Sequence, residues 1–450
     1  MHDVAILGGG PAGATAARLL ALWGYRTVLY HRPGDARRSL AETLPPSLHR
    51  HFHLLGIDQQ VAAAGFFPTT GNTSWWANTR GSTRRREQTY PVSGYQVLRA
   101  DFDALLLKLA AEAGVNVRYE AAPRERNRIA ARYVLDATGR AGVIARQRWR
   151  IRQPDLRTVA LCGVWQNEPG WPGVEPSHTL VESYRNGWAW SVPLSPALRY
   201  VTFMVDPKDH GSYAEELKKT RAFRKIFATG ELRGRTWGFD ASLYTARRFA
   251  GARVLLVGDA GSFVDPLSSF GVKKALASGW LAAVVVNTCL KRPEMVTPAL
   301  EYFDQCERQV YADHLRMAAG FYRQAAARYS HAFWTQRARL APDERPLRAA
   351  LRRLQRAKVL NLHPAEGVRR EMRPGISGRE IVMRETLVLP GLPDGLEYAQ
   401  GVSLPTLVEL APSHRSVPAL YDAYNHRAEP VPLPAFLNAL ALLVSTGVLR

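Results

Sequence analysis

Short apolar runs that stop at glycine, and apolar stripes at helical spacing, divide the chain. Val4-Ala5-Ile6-Leu7 is an apolar run that ends at Gly8-Gly9-Gly10-Pro11-Ala12-Gly13. Ala14 to Trp23 then reads as a helix and Tyr25–Tyr30 as a second strand, giving strand, tight turn, helix, strand. Two later apolar runs also end in turn residues. Val134-Leu135 precedes Asp136-Ala137-Thr138-Gly139-Arg140, and Val254-Leu255-Leu256-Val257 precedes Gly258-Asp259. A long apolar helix is expected from Ser269-Phe270-Gly271-Val272 to about Cys289; its most apolar part, Leu276–Thr288, is too short to cross a bilayer. Trp188-Ala189-Trp190-Ser191-Val192-Pro193 alternates as a strand does. Ala299–Tyr329 and Arg345–Val359 read as helices. In the second, Leu347, Leu351 and Leu354 share one face, and Arg348, Arg352 and Arg356 repeat at a four-residue interval on another. Residues 360–435 hold many Pro and Gly breakers and take no assigned fold, apart from a strand-like run at Ile381–Leu389. Leu433–Val444 reads as an apolar helix.

Composition narrows the picture. A chain of 450 residues predicts two or three modules, and 46% hydrophobic residues exclude global disorder. The net charge is +21, from 51 Arg and 9 Lys against 39 acidic residues. Residues 118–157 hold 11 basic and 4 acidic side chains, and residues 321–374 hold 13 and 4. Such a surface attracts nucleic acid, anionic membrane or an acidic protein. No helix-turn-helix, zinc-finger or RNP signature accompanies it, so no nucleic-acid partner is expected. Cys162, Cys289 and Cys306 form no pair motif, which suits a reducing compartment. The N-terminal apolar stretch lacks a basic n-region and is broken by glycines, so a cytoplasmic protein with no membrane partner is expected.

The first turn has the chemistry of a dinucleotide site. Gly8 permits the turn, Gly10 lets a pyrophosphate reach the backbone, and Gly13 lets helix and strand pack closely. Pro11 and Ala12 complete the turn, and the helix N-terminus faces phosphate charge. An acidic residue usually ends the second strand, but here His31 stands there, followed by Arg32. Arg32 can reach a phosphate or stack on adenine.

Together with Gly258-Asp259, Asp265-Pro266 and Gly271-Val272, this turn resembles the FAD-binding fold of the aromatic-hydroxylase type, found in group A flavoprotein monooxygenases and flavin-dependent halogenases. The resemblance implies an α/β, Rossmann-like FAD-binding domain built from residues 1–150 and 250–290. It implies a β-rich substrate domain inserted at 151–249 and a C-terminal region at 291–450 that is mostly helical and then irregular. It places Asp259 on the ribitol chain and the Gly271-Val272 turn at the flavin N1–C2=O edge. Ala41-Glu42-Thr43-Leu44-Pro45-Pro46 resembles the family's strap beside the flavin, with Ala41 where the family has glycine. Arg99 matches an arginine that lies against the cofactor, and Val134–Arg140 matches the segment that closes the nucleotide fold. One glycine motif leaves no second dinucleotide module, so NAD(P)H is expected as a transient electron donor, or a partner reductase supplies reduced flavin.

Trp188-Ala189-Trp190-Ser191-Val192-Pro193 resembles the W-x-W-x-I-P motif of flavin-dependent halogenases. Those enzymes also need a lysine, and the corresponding stretch Gly65–Trp76 has none; Thr69 or Thr70 stands in its place. An uncharged hydroxyl cannot replace a desolvated amine. The expected reaction is therefore oxygen transfer from molecular oxygen to an aromatic ring by way of a flavin C4a-hydroperoxide. Trp190 and Phe270 are candidates for the flavin and substrate face. The basic surface and C-terminal extension resemble flavoproteins that hydroxylate a protein tryptophan during quinone-cofactor biogenesis, as in maturation of quinohemoprotein amine dehydrogenase. That resemblance implies an acidic protein substrate, the small subunit of an amine dehydrogenase. A halogenase and a small-molecule hydroxylase are the alternatives. Of His49, His51 and His53 only the outer two have the four-residue spacing of helix ligands, so no metal is expected. Arg84-Arg85-Arg86 reads as an exposed loop. Ser262, Ser268 and Ser269 form no nucleophile elbow.

Overall fold

The computed structural model describes residues 1–34, 39–77, 81–85, 93–121, 123, 129–153, 156–268, 270–341, 345–357, 359–390 and 392–450. The chain divides into two units: Met1–Asn287 with Phe303–Pro342, and Thr288–Tyr302 with Asp343–Arg450. The expected boundary at 290/291 therefore gives way to a different one, because residues 303–342 belong to the first unit.

The first unit is built on the predicted βαβ start. His2–Leu7 is the strand, Pro11–Leu22 the helix and Thr27–Tyr30 the second strand. The helix begins three residues earlier than expected, because Pro11 occupies its first position, where a missing N–H costs nothing. Val4 to Leu7 are wholly buried, and each large side chain among them contributes about 1.5–3 kcal/mol of burial. The central sheet has the order Ala250–Gly251, Val254–Leu256, Ala131–Asp136, His2–Leu7, Thr27–Tyr30, Asn116–Arg118. It is parallel except for its first pair, so the strands' C-terminal ends meet on one edge.

A seven-stranded sheet follows the order Glu231–Asp240, Val159–Gln166, Leu198–Val205, Gly187–Pro193, Thr179–Tyr184, Gly71–Trp75, Ser82–Arg85. Its last two strands come from outside 151–249, so the substrate sheet is not a contiguous insertion. Gly71–Trp75 pairs in parallel with Thr179–Tyr184, which seats two more strands without a longer insertion. Arg84 and Arg85 lie in one of these strands rather than in a loop, because Ser82–Arg85 pairs with Gly71–Ser74; Arg86 lies outside the described residues. A small sheet, Ala41–Leu44, Gly94–Leu98 and Phe67–Thr69, places the strap against the strand that leads into Arg99.

In the second unit, residues 360–435 are regular, contrary to their breaker-rich pattern. Arg369–Ser377, Glu380–Leu389 and Leu392–Leu396 form an antiparallel sheet. Helices follow at Leu404–Leu410, Val417–Arg427 and Leu433–Ser445. The prolines that read as breakers begin these helices. Pro405 and Pro418 sit in the first turns, behind Ser403 and Ser416, whose hydroxyls cap the helix starts. Leu404, Leu407, Leu420, Phe436 and Leu440 form the core of this unit. The helix Arg345–Arg356 buries Leu354 and exposes Arg352, Arg353 and Arg356, as the stripe predicts. Among the described residues, no helix is long and apolar enough to cross a membrane.

Candidate active site

A cavity of about 1240 Å³ lies in the first unit, between the C-terminal edge of the parallel sheet and the seven-stranded sheet. Gly8, Gly10, Pro11 and Ala12 line it. Gly8 has φ +104°, and a Cβ there would stand 2.4 Å from the Ala137 carbonyl oxygen. A Cβ on Gly13 would stand 1.9 Å from the Gly8 carbonyl oxygen, so helix and strand pack backbone to backbone. Gly13 itself does not line the cavity. A Cβ on Gly10 would meet nothing closer than Asp103 Oδ2 at 3.8 Å, so that glycine keeps space for a ligand and not for the fold. This cradle, at a helix N-terminus, fits the diphosphate of FAD.

Asp136 organises the neighbouring turn. It is fully buried and accepts from the N–H groups of Thr138, Ile144 and Ala145 and from the Thr138 hydroxyl. His31 and Arg32 both line the cavity, at the position where dinucleotide folds carry a ribose-binding acid. Burial pushes the His31 imidazole below its ordinary pKa.

Arg99 opens its helix between two carboxylates. Its Nη1 donates to Glu42 Oε1 at 2.9 Å, and its Nε and Nη2 donate to Asp103 at 2.9 and 3.0 Å. Burial alone would lower the guanidinium's pKa, but Asp103 and Glu42 more than offset it and hold it above its ordinary value. Burial raises Glu42, and Arg99 opposes that shift. Thr43 bonds Gln96 at 2.6 Å and Thr179 at 2.7 Å, fixing the strap against the substrate sheet.

Asp259 lines the cavity, and its Oδ1 receives Lys274 Nζ at 3.2 Å. Lys274 is buried and also donates to the carbonyls of Gly258 and Ser262. Behind it Ser278 Oγ accepts from the Gly258 N–H at 2.8 Å and donates to the buried Glu307, whose carboxyl burial pushes up to about 7. Gly271 and Val272 line the cavity and begin the helix Gly271–Lys291, so its positive end is presented there.

Trp190 lines the cavity from its strand, with Trp237 and Phe239 nearby. Trp188, two residues earlier on the same face, is core and meets Trp76 edge to face at 6.4 Å. Phe270 lies outside the cavity lining: its ring packs on His314 at 5.5 Å and under the Lys273 ammonium at 5.2 Å, so it does not share Trp190's position. Thr69 and Thr70 are also outside the lining. Thr69 donates to the Gly71 carbonyl, and Thr70 bonds Ser177 at 2.6 Å. Among the described residues, no lysine lines the cavity.

Asp265 also lines the cavity. It receives the Tyr322 hydroxyl and the Leu267 N–H, and burial raises its pKa. The sequence marked Asp265 only as part of a motif; Tyr322, Glu307 and Lys274 had no signal beyond helical amphipathicity. Among the described residues no group of three or more ligands could hold an ion, and His49 bonds the Ser93 carbonyl while His53 meets Asp58 at 3.3 Å. Ser269 lies outside the described residues.

A family model described as an FAD-binding domain matches residues 1–140, and one described as tryptophan halogenase matches residues 72–363. The chain is 30% identical over 380 residues to a tryptophan 2-halogenase of Chondromyces crocatus, covering 76% of this chain and 71% of that one. Its fold is similar to that of CmlS, a flavin-dependent halogenase, with TM-score 0.82 and 20% identity, over 100% of this chain and 95% of that one. It is also similar to that of the peptidyl tryptophan dihydroxylase QhpG, with TM-score 0.69 and 24% identity, over 99% of each chain. With the FAD cradle, the cavity and the tryptophan strand in place, the chain belongs to the tryptophan halogenase family of FAD-dependent oxidoreductases.

Proposed function

We propose that this flavoprotein transfers oxygen, not halogen, to an electron-rich aromatic ring, with a tryptophan side chain of an acidic partner protein as its substrate. The observation that supports this reading is the absence of lysine among the described residues that line the cavity. Halogenation by this family needs an amine beside the substrate. The two lysines nearest in sequence to the cavity helix start are committed elsewhere: Lys274 to Asp259 and two carbonyls, Lys273 to Ser47 and the Phe270 ring. The acidic partner is suggested by the exposed arginines of Arg345–Arg356 and by QhpG, which is named for acting on a peptidyl tryptophan. An amine dehydrogenase small subunit is the partner in this reading, and the cytoplasm its compartment.

Bound FAD would supply oxygen activation, with molecular oxygen as co-substrate and NAD(P)H as electron source. The chain's residues do the rest. Gly8, Gly10, Pro11 and Ala12 form the diphosphate cradle, with Gly13 packing helix on strand behind it, Arg32 serves the adenosine end, and Glu42, Thr43 and Arg99 hold the strap beside the ring system. Asp259 takes the ribitol chain, and Gly271 and Val272 present the helix end. Trp190 walls off the substrate side, and the apolar faces of Trp237 and Phe239 exclude water. Asp265, held by the Tyr322 hydroxyl and the Leu267 N–H, sets a polar group at the cavity wall.

Family membership favours a second reading. The relatives are mostly named as halogenases, and on that ground alone halogenation is the stronger expectation. Mass spectrometry separates the two. A tryptophan-containing acidic peptide incubated with enzyme, FAD, NAD(P)H, oxygen and chloride or bromide gains one or two oxygen atoms under the first reading. A gain of halogen overturns it.

A further inference from the structure

The seven-stranded sheet ends on a strand whose outer side is open, and the cavity lies against that end. Glu231–Asp240 is the first strand in the sheet and, among the described residues, pairs only with Val159–Gln166. Two rows of side chains cross the sheet on its cavity face and finish on this strand. One runs Trp190, Thr202, Cys162, Trp237, and the other Met204, Ala160, Phe239. Trp190, Thr202, Met204, Trp237 and Phe239 line the cavity, and so does the exposed Gly238 between the last two. The cavity therefore borders the open edge of the sheet.

The backbone along this edge can take another strand. The Ala241 N–H donates to the Thr158 carbonyl at 2.8 Å. Ala160 stands opposite Phe239 and Cys162 opposite Trp237. The antiparallel alternation then turns the N–H and C=O groups of Trp237 and Phe239 inward and those of Gly238 and Asp240 outward. Among the described residues nothing bonds to these outward groups. Gly238 also has no side chain to hold a second backbone off. Proteins usually blunt such an edge with bulges and charge, but here the blunting stops short of the cavity. Gly234, at φ +67°, and the two residues after it have no place in the register, so the strand bulges between Arg233 and Trp237. The run Trp237–Asp240 stays regular. Charge limits what can pair there. Arg235 precedes the run, and Arg157 stands at its far end, where Thr158 meets Ala241. Both arginines are exposed and, among the described residues, form no ion pair, whereas Arg233 pairs with Glu231. Asp240, the acid of the run, accepts from the Ser242 N–H.

We propose that an extended, acidic segment of the partner protein adds as an antiparallel strand along Trp237–Asp240 and so places its tryptophan over the cavity. This rests on the protein-substrate reading above and is independent of whether oxygen or halogen is transferred. A residue of the added strand that lies opposite Phe239 continues the row of Met204 and Ala160 on the cavity face, at the inter-strand spacing of about 4.8 Å. Antiparallel pairing continues the pattern of the neighbouring strands. The N–H and C=O of the tryptophan opposite Phe239 point away from the sheet, while its two neighbours bond Gly238 and Asp240. Backbone pairing thus supplies the register and the arginines select an acidic segment.

The test uses FAD-loaded protein and a short labelled peptide of alternating glutamate and valine, with one central tryptophan in a valine position. Binding is read by fluorescence anisotropy at low salt, and the product by mass spectrometry after NAD(P)H, oxygen and chloride are added. Wild type binds the peptide and modifies its tryptophan. N-methylation of the tryptophan amide leaves binding unchanged. N-methylation of both neighbouring amides raises the dissociation constant at least about tenfold, the effect of two lost hydrogen bonds. R235E, at an exposed position outside the cavity lining, weakens binding severalfold with FAD retention unchanged. Equal binding of the three peptides overturns the proposal, and so do a loss confined to the tryptophan amide and unchanged binding by R235E. In each of these cases continued modification of the peptide leaves the protein-substrate reading standing. A wild type that neither binds nor modifies the peptide, yet turns over free tryptophan, overturns that reading and the proposal with it.

Discussion

Glu307 sits behind the residues that hold Asp259, and replacing it with glutamine tests that layer of the site. Burial shifts its carboxyl from an ordinary 4.5 to about 7, with Lys274 and Ser278 opposing the shift. Its Oε2 meets no hydrogen-bond partner. The folded state therefore holds the proton more tightly than the unfolded chain does. The stability this group contributes is fully present below 4.5 and is lost as pH rises through the window to about 7. Between pH 5 and pH 8 the expected loss from this group is about 2.5 kcal/mol. Glu307→Gln removes the titration and keeps the size of the side chain. It also removes a negative charge near Lys274, which retains Asp259 as its partner. That charge exists only where Glu307 is deprotonated, so its removal is part of the same pH-dependent difference and is absent at pH 5. The assay is urea unfolding followed by tryptophan fluorescence at several pH values, with FAD saturating throughout so that ligand linkage is constant. The variant gains on wild type as pH rises, by about 2.5 kcal/mol from pH 5 to pH 8. Parallel curves for the two proteins refute the reasoning, because Glu307 would then titrate alike in folded and unfolded chains.

Gly13→Ala sets a Cβ 1.9 Å from the Gly8 carbonyl oxygen; overpacking of this kind costs about 1–3 kcal/mol or more, read as a lower melting temperature together with loss of bound FAD. Asp259→Ala weakens FAD retention about 10–100-fold, measured by flavin fluorescence on dilution, and unchanged retention would remove Asp259 from the ribitol contact. Arg99→Met leaves Glu42 and Asp103, both part-buried, without their cation. It costs about 1–3 kcal/mol at neutral pH and less in acid, where the Glu42 carboxyl, raised by burial, takes up a proton; melts at two pH values measure it.

The parts of this site that could be read from the sequence are those whose stereochemistry is local. Gly8 and Gly13 are legible because the turn between strand and helix admits no other residue there, and Gly10 because its spacing within the same six positions leaves the backbone open to a ligand. Asp259 and the Gly271 helix start are legible from local pattern too, the first closing an apolar run and the second opening an apolar helix. Lys274, Glu307, Asp265 and Tyr322 are not, because what gives them meaning is a contact across 15 to 57 residues, as from Lys274 to Asp259 and from Tyr322 to Asp265. In the sequence, Glu307 and Tyr322 are ordinary members of a long amphipathic helix. The prolines at 405 and 418 show the opposite failure. A residue that breaks a helix from inside starts one from its first turn, and only the serine ahead of each distinguishes the two cases. The arginines fail in a third way. Charge counted along residues 118–157 gives a sum, whereas function depends on which guanidinium groups are left without a carboxylate. Arg118 is paired with Glu120, and among the described residues Arg140 forms no ion pair. A run of like charge thus divides into solvated surface and a site only when each partner is found, and Arg140, pinned between Phe239 and Phe263 at the cavity wall, falls on the side of the site.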